Sequence, residues 1–77
     1  MAGDIIRMDD MEGVFSITDA FSISREAVSV PLGKADPGAV VRLQGGTLEI
    51  VVPLTLPLAD FLLVLREKLL DMGYEAE

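Results

Sequence analysis

Cysteine and histidine are both missing from this 77-residue chain. Without cysteine no disulfide can brace the fold, and without either residue the usual transition-metal frameworks are excluded. The same absences remove the commonest general acid/base and nucleophilic groups, so that only carboxylate work, alone or with lysine, remains. A non-enzymatic protein with no cofactor and no bound metal is therefore expected. Basic residues are also scarce, six against thirteen acids for a net charge of −7. Arg7, Arg25, Lys34, Arg42, Arg66 and Lys68 are scattered singly, so neither a phosphate backbone nor an anionic membrane meets a basic cluster. No nucleic acid and no membrane is expected as a partner, whereas a basic protein is electrostatically suited.

An uninterrupted apolar run is lacking as well. The stretch IVVPLTLPLADFLLVL is broken by Pro53, Pro57 and Asp60 and falls short of the ~20 residues that a helical span needs. At the N-terminus, MAGDIIRMDDMEG carries acids where a signal peptide would need a basic start and an apolar core. A soluble, cytoplasmic protein is expected. In a chain of this size the apolar gain on folding barely offsets conformational entropy, roughly 1.5 kcal/mol per ordered residue. With disulfides and the usual metals excluded, self-association is the remaining source of stability, a homo-oligomer with a dimer favoured.

Residues 1–77 are expected to form a single domain. Residues 1–12 mix Ile5, Ile6, Met8 and Met11 with Asp4, Asp9, Asp10 and Glu12 in no regular period. They are expected to form an arm, ordered only where something docks it. From Val14, the residues Phe15, Ile17, Phe21 and Ile23 alternate with Ser16, Thr18, Ser22 and Ser24, which predicts a strand with one buried face. Asp19 breaks this alternation. Either a turn or bulge around Asp19-Ala20 splits the strand, or Asp19 lies on a buried face, where its raised pKa would make it the candidate functional acid. Val28, Val30 and Leu32 alternate in a second strand, with Pro31 at its end or at an edge. The stretch FSITDAFSIS resembles the opening strand of the second, β-barrel domain of translational GTPases of the elongation factor Tu type. Ser24-Arg25-Glu26-Ala27 replaces the glycine-rich continuation of those domains, and no function is carried over.

Gly33 to Gly38 reads as a loop, with a turn at Asp36-Pro37-Gly38; Gly33-Lys34 lacks the spacing and the following helix of a phosphate loop. Gly45-Gly46 suits a two-residue hairpin turn that sets Arg42 opposite Glu49 and Val41 opposite Ile50. That register puts Val41, Leu43, Leu48, Ile50 and Val52 on one face. A helix is predicted over 55–73, with Thr55 as N-cap, Pro57 in its first turn and Gly73 just past its last. The predicted fold is α+β: about four antiparallel strands in a meander over 13–53, with the C-terminal helix packed on one face.

On a wheel of about 100° per residue, Leu58, Phe61, Leu62, Leu65, Leu69 and Met72 form one apolar stripe. Ala59, Leu63 and Leu70 form a second, set off only by Arg66, so the apolar arc spans roughly 200° where about 100° serves a surface helix. One sheet cannot cover it. The strip Ala59, Leu63, Arg66, Leu70 is the candidate interface, filled either by another subunit or by the N-terminal arm through Ile5, Ile6, Met8 and Met11.

Three functional classes follow. The first is an acidic, non-enzymatic interaction module that self-associates through the C-terminal helix or a sheet edge. The second is an acidic inhibitor or antitoxin-like mimic that occupies a basic surface of a partner protein. The third is a ligand-binding or accessory subunit whose site forms between subunits, with Asp19 or Tyr74 facing it. Asp9, Asp10 and Glu12 are read as a solvated acidic arm, with a hard-cation site as the competing reading.

Overall fold

The computed structural model describes residues 5–76. In chain order the elements are helix α1 (Met8–Ala20), strands β1 (Val28–Ser29), β2 (Ala39–Arg42) and β3 (Leu48–Val51), and helix α2 (Leu58–Asp71). Single turns of 3-10 helix lie at Arg25–Ala27 and Gln44–Gly46. The class is α+β, with a three-stranded mixed sheet in the order β1-β3-β2. β1 runs parallel to β3, and β2 antiparallel to it. The expected four-stranded antiparallel meander is corrected on two counts: the segment from Val14 is helical as far as Ala20, and β1 is a parallel strand.

Helix α1 forms because a 3.6-residue period wins over the apparent alternation. Asp10, Val14 and Thr18 lie four residues apart, Phe21 follows three later, and all four are buried. Two members of this face are polar, and each is satisfied. The Thr18 hydroxyl donates to the Phe15 carbonyl at 3.2 Å, and Asp10 accepts the Arg7 amide at 2.9 Å. Asp9 and Asp10 also favour the helix's N-terminal dipole. Part of the expected arm is therefore helical. Residues 8–12 belong to α1, the Ile6 amide donates to Leu32 at 2.7 Å, and Ile5 bridges to Gly33. Residues 1–4 of the arm lie outside the described residues. The likeness to a barrel strand ends here too, since its first six residues, Phe15 to Ala20, are helical.

Both helices end in the same way. After α1, the Ile23 amide donates to Thr18 and the Ser22 amide to Asp19; after α2, the Tyr74 amide donates to Leu69 and the Gly73 amide to Leu70. These paired bonds define a Schellman stop, with the residue past the cap in the left-handed region. Gly73 fills that place without strain at φ 98°, while Ser22 holds φ 58° against a steric cost of about 1–2 kcal/mol. The helix predicted over 55–73 begins later, at Leu58, with Pro57 as its cap. Thr55 is engaged elsewhere. Asp36 accepts the Leu54 and Thr55 amides at 2.7 and 3.1 Å and the Thr55 hydroxyl at 3.0 Å, tying the loop before β2 to the chain entering α2. These bonds, led by the Thr55 amide, hold the Asp36 carboxyl below its ordinary pKa.

The hairpin register differs by one residue from the predicted one. The loop contains Gln44, Gly45 and Gly46, the Leu43 amide donates to Thr47 at 2.7 Å, and both glycines take positive φ, 88° and 89°. Arg42 therefore pairs with Leu48, Val41 with Glu49 and Val40 with Ile50. A one-residue slip sends every side chain of a strand to the opposite face. Val40 thus joins the core side, while Val41 and Leu43, predicted to be inward, are exposed. Arg42 does not reach Glu49; its guanidinium lies 4.9 Å from the centroid of the Tyr74 ring.

Leu48, Ile50 and Val52 share one buried cluster with Val14, Phe21, Phe61, Leu65 and Leu69. The helices also meet directly. A β-carbon built on Gly13 would come within 3.1 Å of a Leu62 methyl and 3.4 Å of one from Leu58, so glycine lets α1 approach α2 closely.

Candidate functional site

Phe61, Leu65 and Leu69, at successive spacings of four, turn one face of α2 into the core. That orientation fixes where the remaining apolar residues go. Ala59, Leu63, Arg66 and Leu70 fall about a quarter-turn or more around the helix and are all exposed, Leu63 at 64% and Leu70 at 48%. The described part of the N-terminal segment leaves them uncovered. Ile6 packs on the core cluster, while Ile5 and Met8 are themselves exposed. Farther around the same helix, Asp60, Glu67 and Asp71 form an exposed acidic row with no ion pair among the described residues.

Asp19 stands apart from this strip. It lies in the last turn of α1, exposed, with an oxygen 2.8 Å from an Arg25 nitrogen. Arg25 also places its guanidinium 5.0 Å from the centroid of the Phe15 ring, so one side chain spans two residues a helical turn apart. The Arg25 hydrogen bond holds the Asp19 carboxyl below its ordinary pKa. A buried acid with a raised pKa is therefore not what this residue is; the strand that would have buried it is a helix, and its position in that helix faces solvent.

Among the described residues the buried charged residue is Asp10. One of its oxygens accepts the Arg7 amide at 2.9 Å and lies 3.1 Å from the Lys34 ammonium. Burial alone would raise its pKa, but the Arg7 amide and Lys34 outweigh that and hold it below the ordinary value. Asp9 and Glu12 are exposed, and no group of three metal-capable side chains converges among the described residues. The sequence does carry a trace of this pair's helical half. Asp10 stands three residues after Arg7, the N-cap, and four before Val14. Lys34 comes from a distant loop and leaves no local signal.

On the other flank of α2, a cleft of about 240 Å³ separates the helix from the start of β2. Pro37, Gly38, Ala39 and Val40 form one wall, with Phe61, Val64 and Lys68 forming the other. It was missed in the sequence because the predicted register turned Val40 away from the core. Among the described residues no helix is long and apolar enough to cross a membrane. No family model matches the chain, and neither does any curated protein or solved structure with which it was compared.

Proposed function

We propose that this protein is an acidic, non-enzymatic interaction module that self-associates through the α2 strip Ala59, Leu63, Arg66 and Leu70. The observation that carries this is the 64% exposure of Leu63, beside Leu70 at 48%, on the side of α2 turned away from its buried face of Phe61, Leu65 and Leu69. Fully burying an exposed leucine is worth about 1.5–3 kcal/mol, so half-burying Leu63 and Leu70 on two copies yields roughly 3–6 kcal/mol. This reaches only the lower end of the roughly 4–15 kcal/mol that association costs, so the Ala59 methyl and the Arg66 stem must add to it. Self-association is accordingly weak and concentration-dependent.

A second reading, an acidic mimic that occupies a basic protein surface, draws on Asp60, Glu67 and Asp71 beside the strip. Salt separates the two. Bringing two copies of the acidic row together is repulsive, so added salt should strengthen self-association, whereas it should weaken capture of a basic partner. Sedimentation equilibrium up to about 1 mM protein, at ~50 and ~500 mM salt, tests this. A dimer fraction that rises with concentration and with salt supports the self-association reading. A monomer at every concentration and both salts refutes it.

A further inference from the structure

β2 is an outer strand of the sheet, with β3 as its one neighbour among the described residues. Counting back from the Leu43 amide, which bonds to Thr47, alternate residues of β2 turn their backbone groups toward β3. These are Val41 and Ala39. The amides and carbonyls of Val40 and Arg42 point outward, away from the sheet. The cleft between residues 37–40 and α2 adjoins this strand, with Val40 in its wall. Among the described residues nothing outside the sheet bonds to these outward groups, so Val40 offers open main-chain groups at the edge and an apolar surface beside them. At about 240 Å³ the cleft falls below the ~300–1,000 Å³ usual for small-molecule sites and suits one side chain of a longer ligand. An open edge with a pocket for an alternate side chain is what recognition by strand addition requires.

Lys68 fixes the charge of the occupant. It is the single charged residue in an otherwise apolar lining, and it forms no ion pair among the described residues. A second copy of this chain is a poor occupant. Of its two outer strands, β2 (Ala39-Val40-Val41-Arg42) would bring Arg42 rather than an acid to this cation, and β1 (Val28–Ser29) is only two residues long, with the nearby acid Glu26 in a 3-10 turn rather than in extended chain. We infer that the β2 edge and the cleft bind an extended segment of another protein, its main chain bonded to Val40 and Arg42. An apolar side chain of that segment fills the cleft. Alternate residues of a strand share a face, so an acidic side chain two positions away lies on the same side and pairs with Lys68. The site lies on the flank of α2 away from Ala59, Leu63 and Leu70, and does not depend on self-association.

The probe is the peptide acetyl-Thr-Thr-Leu-Thr-Asp-Thr-Thr-amide, titrated into ¹⁵N-labelled full-length protein. Saturable shifts at the Val40, Arg42 and Lys68 amides are expected, with a dissociation constant of about 1 mM or below. N-methylation of the peptide leucine, which removes a main-chain donor, should weaken binding about tenfold, as should Lys68→Glu. Moving the aspartate next to the leucine should weaken it as well. Leu63→Glu should leave the affinity unchanged. Several results would overturn the inference: no saturable shift, equal affinity for the shifted-aspartate or N-methyl peptide, or undiminished binding to Lys68→Glu. So would shifts at Val40 and Arg42 that appear on concentrating the protein alone, because a second copy would then hold the edge.

Discussion

Replacing Asp10 with alanine should destabilise the protein by about 2–4 kcal/mol. The side chain accepts the Arg7 amide and pairs with Lys34, and both charged side chains are nearly buried, at 10% and 15% exposure. Removing it leaves an ammonium with little access to water and an amide open at the helix start. A hydrogen bond to a charged group contributes roughly 1.5–3 kcal/mol, and a helix cap about 1 kcal/mol. At about 0.05–0.15 kcal/mol per residue, a 77-residue chain has about 4–12 kcal/mol in total, so this one change removes a large share. An unfolding entropy of about 2.1 cal/mol/K per residue converts the loss to a Tm drop of roughly 12–25 °C. Differential scanning calorimetry of the variant, with Lys34→Met and the double variant, supplies the cycle. The double variant should lose about 1–3 kcal/mol less than the sum of the singles. The folded-state pKa of Asp10 lies below that of the unfolded chain. Its contribution is therefore complete above the ordinary carboxylate value of about 3.9, and disappears as pH falls from there through the folded value. A loss under about 0.5 kcal/mol, typical of a solvated surface site, would refute the buried pair.

Ser22→Gly should stabilise the fold by roughly 0.5–1 kcal/mol in urea titrations, because Ser22 holds a positive φ past the end of α1; destabilisation would place it in a strand instead. Val41→Thr should cost less than about 0.5 kcal/mol in the same titrations, since Val41 faces solvent at 45% exposure; a cost of about 1–3 kcal/mol would mean that it packs inside, as a two-residue turn requires.

How much of this was legible in the sequence depends on which signal each element carries. α2 was readable because its apolar spacing persists over fourteen residues and Gly73 marks its end. The exposed strip follows from the same wheel, since Phe61, Leu65 and Leu69 fix the inward face and Leu63 cannot share it. α1 was hidden by its own core face. Asp10 and Thr18 occupy two of its three buried positions, so an apolar pattern could not reveal the helical period, while Phe15, Ile17, Phe21 and Ile23 happened to alternate. Of the two readings of Asp19, the buried face went with the strand, and the residue is exposed in the last turn of α1. The hairpin was found but its register was not, because Gly45-Gly46 suits a two-residue turn and Gln44 carries nothing to announce that it belongs to the loop. That single residue decides whether Val40 or Val41 faces inward, and with it whether the cleft beside Lys68 exists.

The most direct test of the self-association claim is sedimentation equilibrium of Leu63→Glu beside the unmodified protein, each paired with a thermal melt. Leu63 is 64% exposed and contributes little to the core, so the substitution should leave the monomer's Tm within a few degrees, ~0.5 kcal/mol. A charge buried at the centre of the contact should reduce the variant to a monomer at concentrations where the parent dimerises. Unchanged association, or loss of the fold with association intact, would contradict the assignment of the two faces of α2.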